Sequence, residues 1–358
     1  MKISKIVASG VLLSAGIGLW ACTSANPSGT NASPAPSSSP APTASPSATN
    51  ASPAPSSSPA PTAKPLAPPS LLKAFDPNSY EFAEGLALDK AGEFAYTGAA
   101  TGLIFKVSLA DGSKSTYGQI PGVPSDQSVY VLGTAFDSTG NLFIACASMG
   151  SFQKGIYKIP AGGGNATLFA SDAAMGFPNG LAVDASDALY VSDSSGKIWH
   201  VTKAGVVTKW FEDAAVLTPD ASSSCATGFF IGANGIALGA DALYITNSDR
   251  ASLVKIPLKG DGTAGTAEAV VASNCSTFRG ADGLAIGPDG SFYVASNQQE
   301  AVLKVTSGGE VSTVASGSLF AFPASLSYND KDGVLYVINA AFGDKKEPGI
   351  VKVPIVAK

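Results

Sequence analysis

The sequence predicts an all-β fold built from six repeated sheets, on three observations. One apolar phrase returns six times between residues 84 and 329, at intervals of 42 to 55 residues. A turn containing Gly or Asp and a second β-rich run follow it, which is typical of a hairpin. A third run repeats an apolar-x-Lys-apolar pattern at one place in the unit. Repeats of this length predict a six-bladed β-propeller with four antiparallel strands per blade.

Each strand of the unit is visible in the sequence. The first strand is the recurring phrase, which begins at Glu84, Leu132, Asn179, Asn234, Asp282 and Ala324. The second is seen in runs such as LYVSD from Leu189, the third in runs such as IFKV from Ile104, and the fourth in TLFA from Thr167. The sixth unit lacks a fourth strand because the chain ends soon after Val353. The run LLKAF from Leu71 is therefore expected to complete that blade and close the ring.

The N-terminus has the features of an export signal. Lys2 and Lys5 precede an uncharged apolar run over residues 6–21, which is shorter than the roughly 20 residues that a membrane-spanning helix needs. The run ends in Leu-Trp-Ala-Cys, which resembles the lipobox of bacterial lipoproteins and predicts a lipid on Cys22. A plain signal peptide cut near Ala21 and a retained membrane anchor are the alternatives. We expect residues 1–21 to be a signal peptide.

A low-complexity tether is predicted between the signal and the folded domain. Residues 22–70 contain 13 of the 24 prolines, and the fifteen residues 30–44 recur unchanged at 49–63. Alternating Pro, Ser and Ala bury little apolar area and favour an extended chain. Residues 71–358 would then form the propeller, held by its lipid anchor at a membrane of the bacterial cell envelope.

The first residue of the recurring phrase carries the candidate chemistry. In a propeller the inner strands converge on the central channel, which would bring Glu84, Asn179, Asn234 and Asp282 together. Two carboxylates and two amide oxygens are hard ligands that suit Ca²⁺ or another divalent metal. Alternatively, Asn-Gly and Asp-Gly serve only as turn formers. That alternative explains Glu84 poorly, because Glu is not a turn former, so we predict a metal site at these four residues.

We call the six places where the recurring phrase begins the ring positions. In blade order they hold Glu, an apolar residue, Asn, Asn, Asp and a second apolar residue. This order resembles the SMP-30/gluconolactonase family of senescence marker protein and the related paraoxonase and strictosidine synthase propellers. The resemblance covers nearly all of residues 71–356. It implies a divalent ion held by Glu84, Asn179, Asn234 and Asp282, which polarises the carbonyl of a small-molecule lactone or ester. It also implies that Asp282 is the catalytic base or nucleophile.

Several other residues bear on this expectation. His200 is the only histidine and takes the place of the third-strand Lys, so it is expected to be a solvent-facing structural residue rather than a base. Leu132 and Ala324 fill the apolar positions of the ring and are candidate substrate contacts. Arg279, three residues before Asp282, is either a contact for a substrate anion or an ordinary surface residue.

The cysteines fit an exported protein. Cys225 and Cys275 precede Asn234 and Asp282 at similar distances, in loops of neighbouring blades. In an oxidising compartment they are expected to form a disulfide. Cys146, on the second strand of blade two, is expected to remain a buried free thiol.

Two functions of different classes remain open. The first is an exported, membrane-tethered, metal-dependent hydrolase of the lactonase or esterase type. The second is a non-catalytic propeller that resembles NHL-type modules and binds a protein or glycan partner, since a fold alone does not decide function. The net charge of −5 disfavours a nucleic-acid partner. A monomer is expected.

Overall fold

The computed structural model describes residues 66–126, 128–342 and 347–356. Nearly all of the regular structure in these residues is β, with a short 3-10 turn at Pro77–Ser79 and one α-helical turn, α1, at Ala214–Leu217. In chain order the strands are β1 Ser70–Ala74, β2 Ala87–Leu88, β3 Phe94–Gly98, β4 Leu103–Ser108, β5 Lys114–Gln119, β6 Val129–Phe136, β7 Leu142–Ser148, β8 Gly155–Ile159, β9 Gly164–Asn165, β10 Thr167–Ala170, β11 Pro178–Val183, β12 Leu189–Asp193, β13 Lys197–Val201, β14 Val207–Glu212, β15 Ala233–Leu238, β16 Ala242–Asn247, β17 Ser252–Pro257, β18 Glu268–Val271, β19 Ala281–Ile286, β20 Phe292–Ser296, β21 Ala301–Val305, β22 Val311–Ser316, β23 Pro323–Asn329, β24 Val334–Asn339 and β25 Gly349–Pro354.

These strands form six sheets arranged as blades around a central channel, which confirms the predicted six-bladed propeller. From the channel outwards, blade one is β2-β3-β4-β5, blade two β6-β7-β8-β10, blade three β11 to β14, blade four β15 to β18, blade five β19 to β22, and blade six β23-β24-β25-β1. Within the blades the pairing is antiparallel, and the short β9 adds a parallel contact to the edge of β5. The inner strands contact one another around the channel.

The ring is closed by β1. This strand pairs antiparallel with β25, with Ser70 opposite Lys352 and Ala74 opposite Gly349. It is therefore the outermost strand of blade six, as the LLKAF run predicted. Because residues from both ends of the domain share one sheet, backbone pairing between β1 and β25 ties the ring together, with one register shift between Leu71 and Lys73.

The apolar-x-Lys-apolar run follows from the way the blades stack. In β4, Ile104 packs in the core shared with blade two, and Val107 packs in the core shared with blade six. Both faces of the strand are buried, so the intervening Lys106 extends its stem along an aromatic ring, with its ammonium 3.8 Å from the ring centre of Phe94. His200 takes this place in β13 and is half-buried, with its ring 5.0 Å from that of Tyr190.

Neighbouring inner strands come closest at the residue after each ring position. A Cβ on Gly85 would lie 2.0 Å from the Leu132 carbonyl oxygen, and one on Gly235 would lie 2.3 Å from the Asp282 carbonyl oxygen. The same glycine occurs in five blades, at Gly85, Gly133, Gly180, Gly235 and Gly283. The Asn-Gly and Asp-Gly pairs thus lie inside inner strands, and the interpretation of them as turn formers is wrong.

The predicted disulfide is present. It joins Cys225, before β15, to Cys275, before β19, at a sequence separation of 50. Cys146 in β7 is a buried free thiol, and burial raises its pKa to about 12. Cys22, the signal peptide and most of the tether lie outside the described residues. Within the part of the chain that is described, no helix combines the length and the apolar character needed to span a bilayer.

Candidate functional site

The ring positions of blades three, four and five lie where the pairing between the first and second strands of the blade shifts register. In β11 the pairing with β12 shifts register between Pro178 and Leu181, on either side of Asn179. Equivalent shifts flank Asn234 in β15 and Asp282 in β19. A bulge turns side chains out of the regular ladder. Blades three, four and five therefore present their ring residues to the channel by the same local device, whereas Glu84 lies before the first strand of blade one.

The structure brings the four predicted ligand residues to one cavity of about 310 Å³ in the channel. Glu84, Asn179, Asn234 and Asp282 line it from four different blades. The rest of its wall comes from Ala324 and from residues that follow the ring positions along the chain, in 85–88, 133–136, 180–181, 235–236, 283–284 and 325–327. The ring therefore forms one end of the cavity.

Two serines fix the orientation of the two amide groups. Asn179 donates from Nδ2 to Ser194 Oγ at 3.2 Å, and Asn234 donates from Nδ2 to Ser248 Oγ at 2.9 Å. Each serine in turn donates to a backbone carbonyl of the next blade, at 3.0 and 2.7 Å. Because the nitrogen of each amide is engaged, the oxygen is the atom left to bind a ligand.

The two carboxyl groups lie where their charged forms are disfavoured. Burial raises the pKa of Glu84 to about 8. Burial, followed by the charge of Glu84, raises the pKa of Asp282 well above its ordinary value, although Asn297 donates from Nδ2 to Asp282 Oδ2 at 2.8 Å. The Oδ1 atom of Asn297 is buried without a hydrogen-bond partner among the described residues. A cation between the two carboxylates would favour their charged forms.

The donor set suits a hard divalent cation. Among the described residues, no group of three or more His, Cys, Asp or Glu side chains gathers at one point. The ring has another composition, two carboxylates and two amides, and all four offer oxygen. Oxygen-only sets that mix carboxylates with amide carbonyls are typical of Ca²⁺ sites. The residues present therefore fit the predicted ion.

The three predicted substrate contacts are placed differently. Ala324 lines the cavity. The Leu132 side chain is 1% exposed and packs in the core between blades two and three, outside the cavity wall. Arg279 is exposed and donates from Nη2 to the Ala226 carbonyl oxygen at 3.0 Å. Of the three, only Ala324 shares the cavity with the ring, because the larger apolar side chain of Leu132 is buried between blades.

Sequence reasoning missed the residues that support the ring. Ser194, Ser248 and Asn297 come 15, 14 and 15 residues after their partners. All three follow the end of the second strand of their blade, in the runs LYVSD-S, LYITN-S and FYVAS-N. The corresponding residues of the other three blades are Ala99, Ala147 and Ala340. Aligning the ends of the second strands would have revealed this contrast.

Comparison with known sequences identifies the family. Residues 82–340 match the model of a family described as the SMP-30/Gluconolactonase/LRE-like region. No curated protein matches the chain.

Solved structures share the architecture. A calcium-binding protein, regucalcin, from Agrobacterium tumefaciens is 20% identical, with 81% of this chain and 94% of that chain covered and a TM-score of 0.58. A putative gluconolactonase is 14% identical, with 80% and 91% covered and a TM-score of 0.58. An auxiliary nutrient binding protein from Bacteroides thetaiotaomicron is 12% identical, with 79% and 75% covered and a TM-score of 0.59. Identities this low show the fold alone. The family match, which spans most of the propeller and well over half of the sequence, shows that the chain belongs to the SMP-30/gluconolactonase/LRE-like family.

Proposed function

We propose that this protein is a metal-dependent hydrolase of the lactonase or esterase type. The observation that carries the proposal is the ring itself. Asp282 is buried and Glu84 is half-buried, and the pKa values of both carboxyl groups are raised. They stand beside two amide groups whose nitrogens are engaged by serines. Buried like charges cost free energy unless a cation joins them, and perturbed carboxyl groups in a cavity are typical of functional sites. Membership of the family supports a lactonase-type propeller.

Glu84, Asn179, Asn234 and Asp282 would hold the ion. Calcium is the first candidate, because the four oxygens suit it and because a propeller of similar architecture, regucalcin, is described as a calcium-binding protein. When bound, a divalent ion supplies Lewis acidity that polarises a lactone or ester carbonyl. The chain's own contribution is to orient the amides through the two serines and to bury Asn179, Asn234 and Asp282.

Asp282 is the proposed general base. Its Oδ2 is held by Asn297 at 2.8 Å, which fixes the carboxylate at the cavity wall. The carboxylate would take a proton from water as the water oxygen adds to the carbonyl carbon. The bond between that carbon and the alkoxy oxygen then breaks, and the alkoxy oxygen takes up a proton. A raised pKa brings the proton affinity of a carboxylate closer to neutral pH, which favours base catalysis.

The test combines metal binding with hydrolysis. Calorimetric titration should show tight Ca²⁺ binding to the wild type, with a melting temperature that rises with Ca²⁺. Glu84→Gln combined with Asp282→Asn should abolish both effects, and His200→Ala should abolish neither. On a panel of lactones and aryl esters, Asp282→Asn should lose far more turnover than substrate affinity, because it removes a charge used mainly in the transition state.

Two outcomes would contradict the proposal. An unchanged melting temperature in excess Ca²⁺ and in chelator would remove the metal site. Metal binding without metal-dependent and Asp282-dependent hydrolysis across the panel would favour the alternative, a non-catalytic module that binds a protein or glycan partner.

We also propose that the protein is exported and lipid-anchored. The support is the positive start, the apolar run of residues 6–21 and the lipobox-like ending at Cys22, followed by a Pro-rich tether. In a bacterial host, labelled fatty acid should be incorporated into the wild type and not into Cys22→Ser. Equal labelling of the two chains would exclude Cys22 as the anchor.

A further inference from the structure

The residue two places before each ring position is aromatic in four blades and glycine in two. In blade order these residues are Phe82, Tyr130, Phe177, Gly232, Gly280 and Phe322. The cavity wall follows the ring along each inner strand, so these residues lie on the other side of the ring, at the mouth of the channel. All four aromatic side chains are half-buried. The mouth is thus lined by rings on one side only.

Five rings form a continuous row along this mouth. The row runs through Tyr80, Phe82, Phe342, Phe322 and Phe229, with successive ring centres 6.5, 6.5, 5.5 and 5.7 Å apart. We call these five residues the aromatic row. Tyr130 and Phe177 form a separate pair with their ring centres 5.4 Å apart. These separations are those of rings in direct contact.

The last member of the aromatic row crosses from one blade to another. Phe229 belongs to the loop of residues 218–232, which leads into blade four, whereas Phe322 leads into blade six. Blade five lies between them. The contact between the two rings therefore requires the loop to extend over the part of the mouth that belongs to blade five, which carries Asp282.

The base of that loop is fixed to blade five. The disulfide from Cys225 to Cys275 joins it to the loop that leads into β19. Arg279, from the same part of blade five, donates to the Ala226 carbonyl oxygen at 3.0 Å. Phe229 is therefore held over the mouth by a covalent bond and a hydrogen bond close to it in sequence.

Exposure and backbone strain mark the same residues. Phe229 is 56% exposed and its neighbour Phe230 is 66% exposed. Three bulky residues here have left-handed backbones, with φ of 55° at Tyr80, 59° at Phe230 and 54° at Phe322. Such conformations are rare for aromatic residues and concentrate at ligand-binding sites. Rings left in water on a strained backbone contribute little to folding, which indicates a binding surface.

Close packing explains why blades four and five have glycine at this place. A Cβ on Gly280, where φ is +69°, would lie 2.4 Å from Asn297 Oδ1. Asn297 is the residue that holds Asp282, so a side chain at this place would displace the support of the proposed base. A Cβ on Gly232 would lie 2.2 Å from the Leu217 carbonyl oxygen. Blades four and five therefore contribute no aromatic side chain at this position of the mouth.

We propose that the aromatic row binds a flat, uncharged aromatic group of the substrate, while the reacting carbonyl lies next to Asp282. No member of the row carries a charge, and the side chains of the four phenylalanines that follow Tyr80 in the row have no hydrogen-bonding group. A phenyl group fits such a surface, whereas the hydroxyls and carboxylate of a sugar acid would lose hydration without gaining partners. The inference rests on the proposed function and gives it a substrate class, aryl esters and aryl-substituted lactones.

The experiment measures binding without turnover. Acetanilide, a stable amide analogue of an aryl ester, and gluconamide are titrated calorimetrically into the full chain in chelator and in Ca²⁺. Wild type should bind acetanilide about tenfold or more tightly than gluconamide. Phe229→Ala and Phe322→Leu should each weaken acetanilide binding about threefold to tenfold, the contribution expected of one ring contact. Leu168→Ala, at an exposed apolar residue of the outer strand β10, should leave binding unchanged.

The outcomes separate this inference from the proposed hydrolase. Selective acetanilide binding that depends on Phe229 and Phe322, without hydrolysis of the panel, would support the aromatic row and end the hydrolase proposal. Metal-dependent hydrolysis with equal acetanilide affinity in the wild type, Phe229→Ala and Phe322→Leu would show that the aromatic row does not bind the substrate, and it would leave the hydrolase proposal standing. Tighter binding of gluconamide than of acetanilide would also overturn the inference on the aromatic row and would indicate a polar sugar substrate.

Discussion

Blades three to five and blades six, one and two are built alike, yet they differ at two positions per blade. In the first half, Asn179, Asn234 and Asp282 are each held by a polar residue from the end of the second strand. In the second half, the ring residues are Ala324, Glu84 and Leu132, and the corresponding supports are all alanine. The repeat therefore supplies the scaffold, and three of the four candidate ligands come with a polar supporting residue, whereas Glu84 has none at the corresponding place.

The scaffold itself is shared by both halves. Inner-strand glycines allow neighbouring backbones to touch, and buried hydroxyls tie the blades together. We call blades three to five the polar half of the ring. Thr246 donates to the Asp282 carbonyl oxygen at 2.7 Å in this half, and Ser327 donates to the Leu86 carbonyl oxygen at 2.9 Å in the other half. These contacts involve the backbone, so they do not depend on what the ring side chains are.

The largest effect is expected from breaking the shared scaffold. Gly235→Ala places a Cβ 2.3 Å from the Asp282 carbonyl oxygen and 2.9 Å from Gly283 Cα, where only backbone could yield. We expect the free energy of unfolding to fall by about 3 kcal/mol, at the upper end of overpacking costs. Urea denaturation of the purified domain measures it.

The matched control is Gly260→Ala. Gly260 has no atom within 4 Å of its virtual Cβ and does not have a left-handed backbone. Its substitution should change the unfolding free energy by no more than about 0.5 kcal/mol. Equal stability of the two variants would show that close approach of the inner strands does not govern the glycine pattern.

The fold could be predicted from the sequence because the repeat is encoded six times. The recurrence of hairpins and of the apolar-x-Lys-apolar run gave the blade count, and the missing sixth outer strand gave the closure by β1. The ring residues and the cysteine pair followed from their equivalent positions. Such features need only a register along the chain, and a repeat supplies that register.

The rest depends on three-dimensional contacts that the register does not contain. Leu132 shares the ring position, but a large apolar side chain gains more from the core between blades than from a polar channel. The loop of residues 218–232 gives no sign in sequence that Phe229 reaches Phe322 of a blade two places away. The role of the inner-strand glycines was not predicted, because close backbone approach cannot be told from a turn by composition.

A smaller effect is expected from removing one support of the polar half. Ser248→Ala leaves Asn234 Nδ2 without its acceptor, so the amide can rotate and present nitrogen to the ion. Loss of such a support lowers metal affinity by about 10-fold to 100-fold. Ser248→Thr, which keeps a hydroxyl, should restore most of it, and calorimetric Ca²⁺ titration measures both. Ser327→Ala, which removes a blade tie in the other half, is the control. If it weakens Ca²⁺ as much as Ser248→Ala does, orientation of Asn234 is not the cause.

The smallest expected effect is the pH dependence of calcium binding, which distinguishes Glu84 of blade one from Asp282 of blade five. Asn297 donates to Asp282 and favours its charged form, whereas burial raises the pKa of Glu84 to about 8. The pKa of Glu84 is higher in the folded protein than in the unfolded chain. The free energy of unfolding should therefore fall as the pH rises from the ordinary pKa of a glutamate to about 8. At pH 7 the metal-free site should therefore hold a proton on Glu84, which an incoming cation must displace.

Calcium binding should then release about one proton from Glu84, together with any held by Asp282, and affinity should rise by up to about tenfold per pH unit from pH 6 to 8. Calorimetry in buffers of different ionisation enthalpy counts the protons. Glu84→Gln should remove the part that titrates near pH 8, and His200→Ala should leave the count unchanged, since His200 lies outside the ring. A wild-type affinity that stays flat between pH 6 and 8 would show that Glu84 is already ionised in the metal-free protein. Glu84, in the half formed by blades six, one and two, would then keep its charge as readily as Asp282 does in blades three to five.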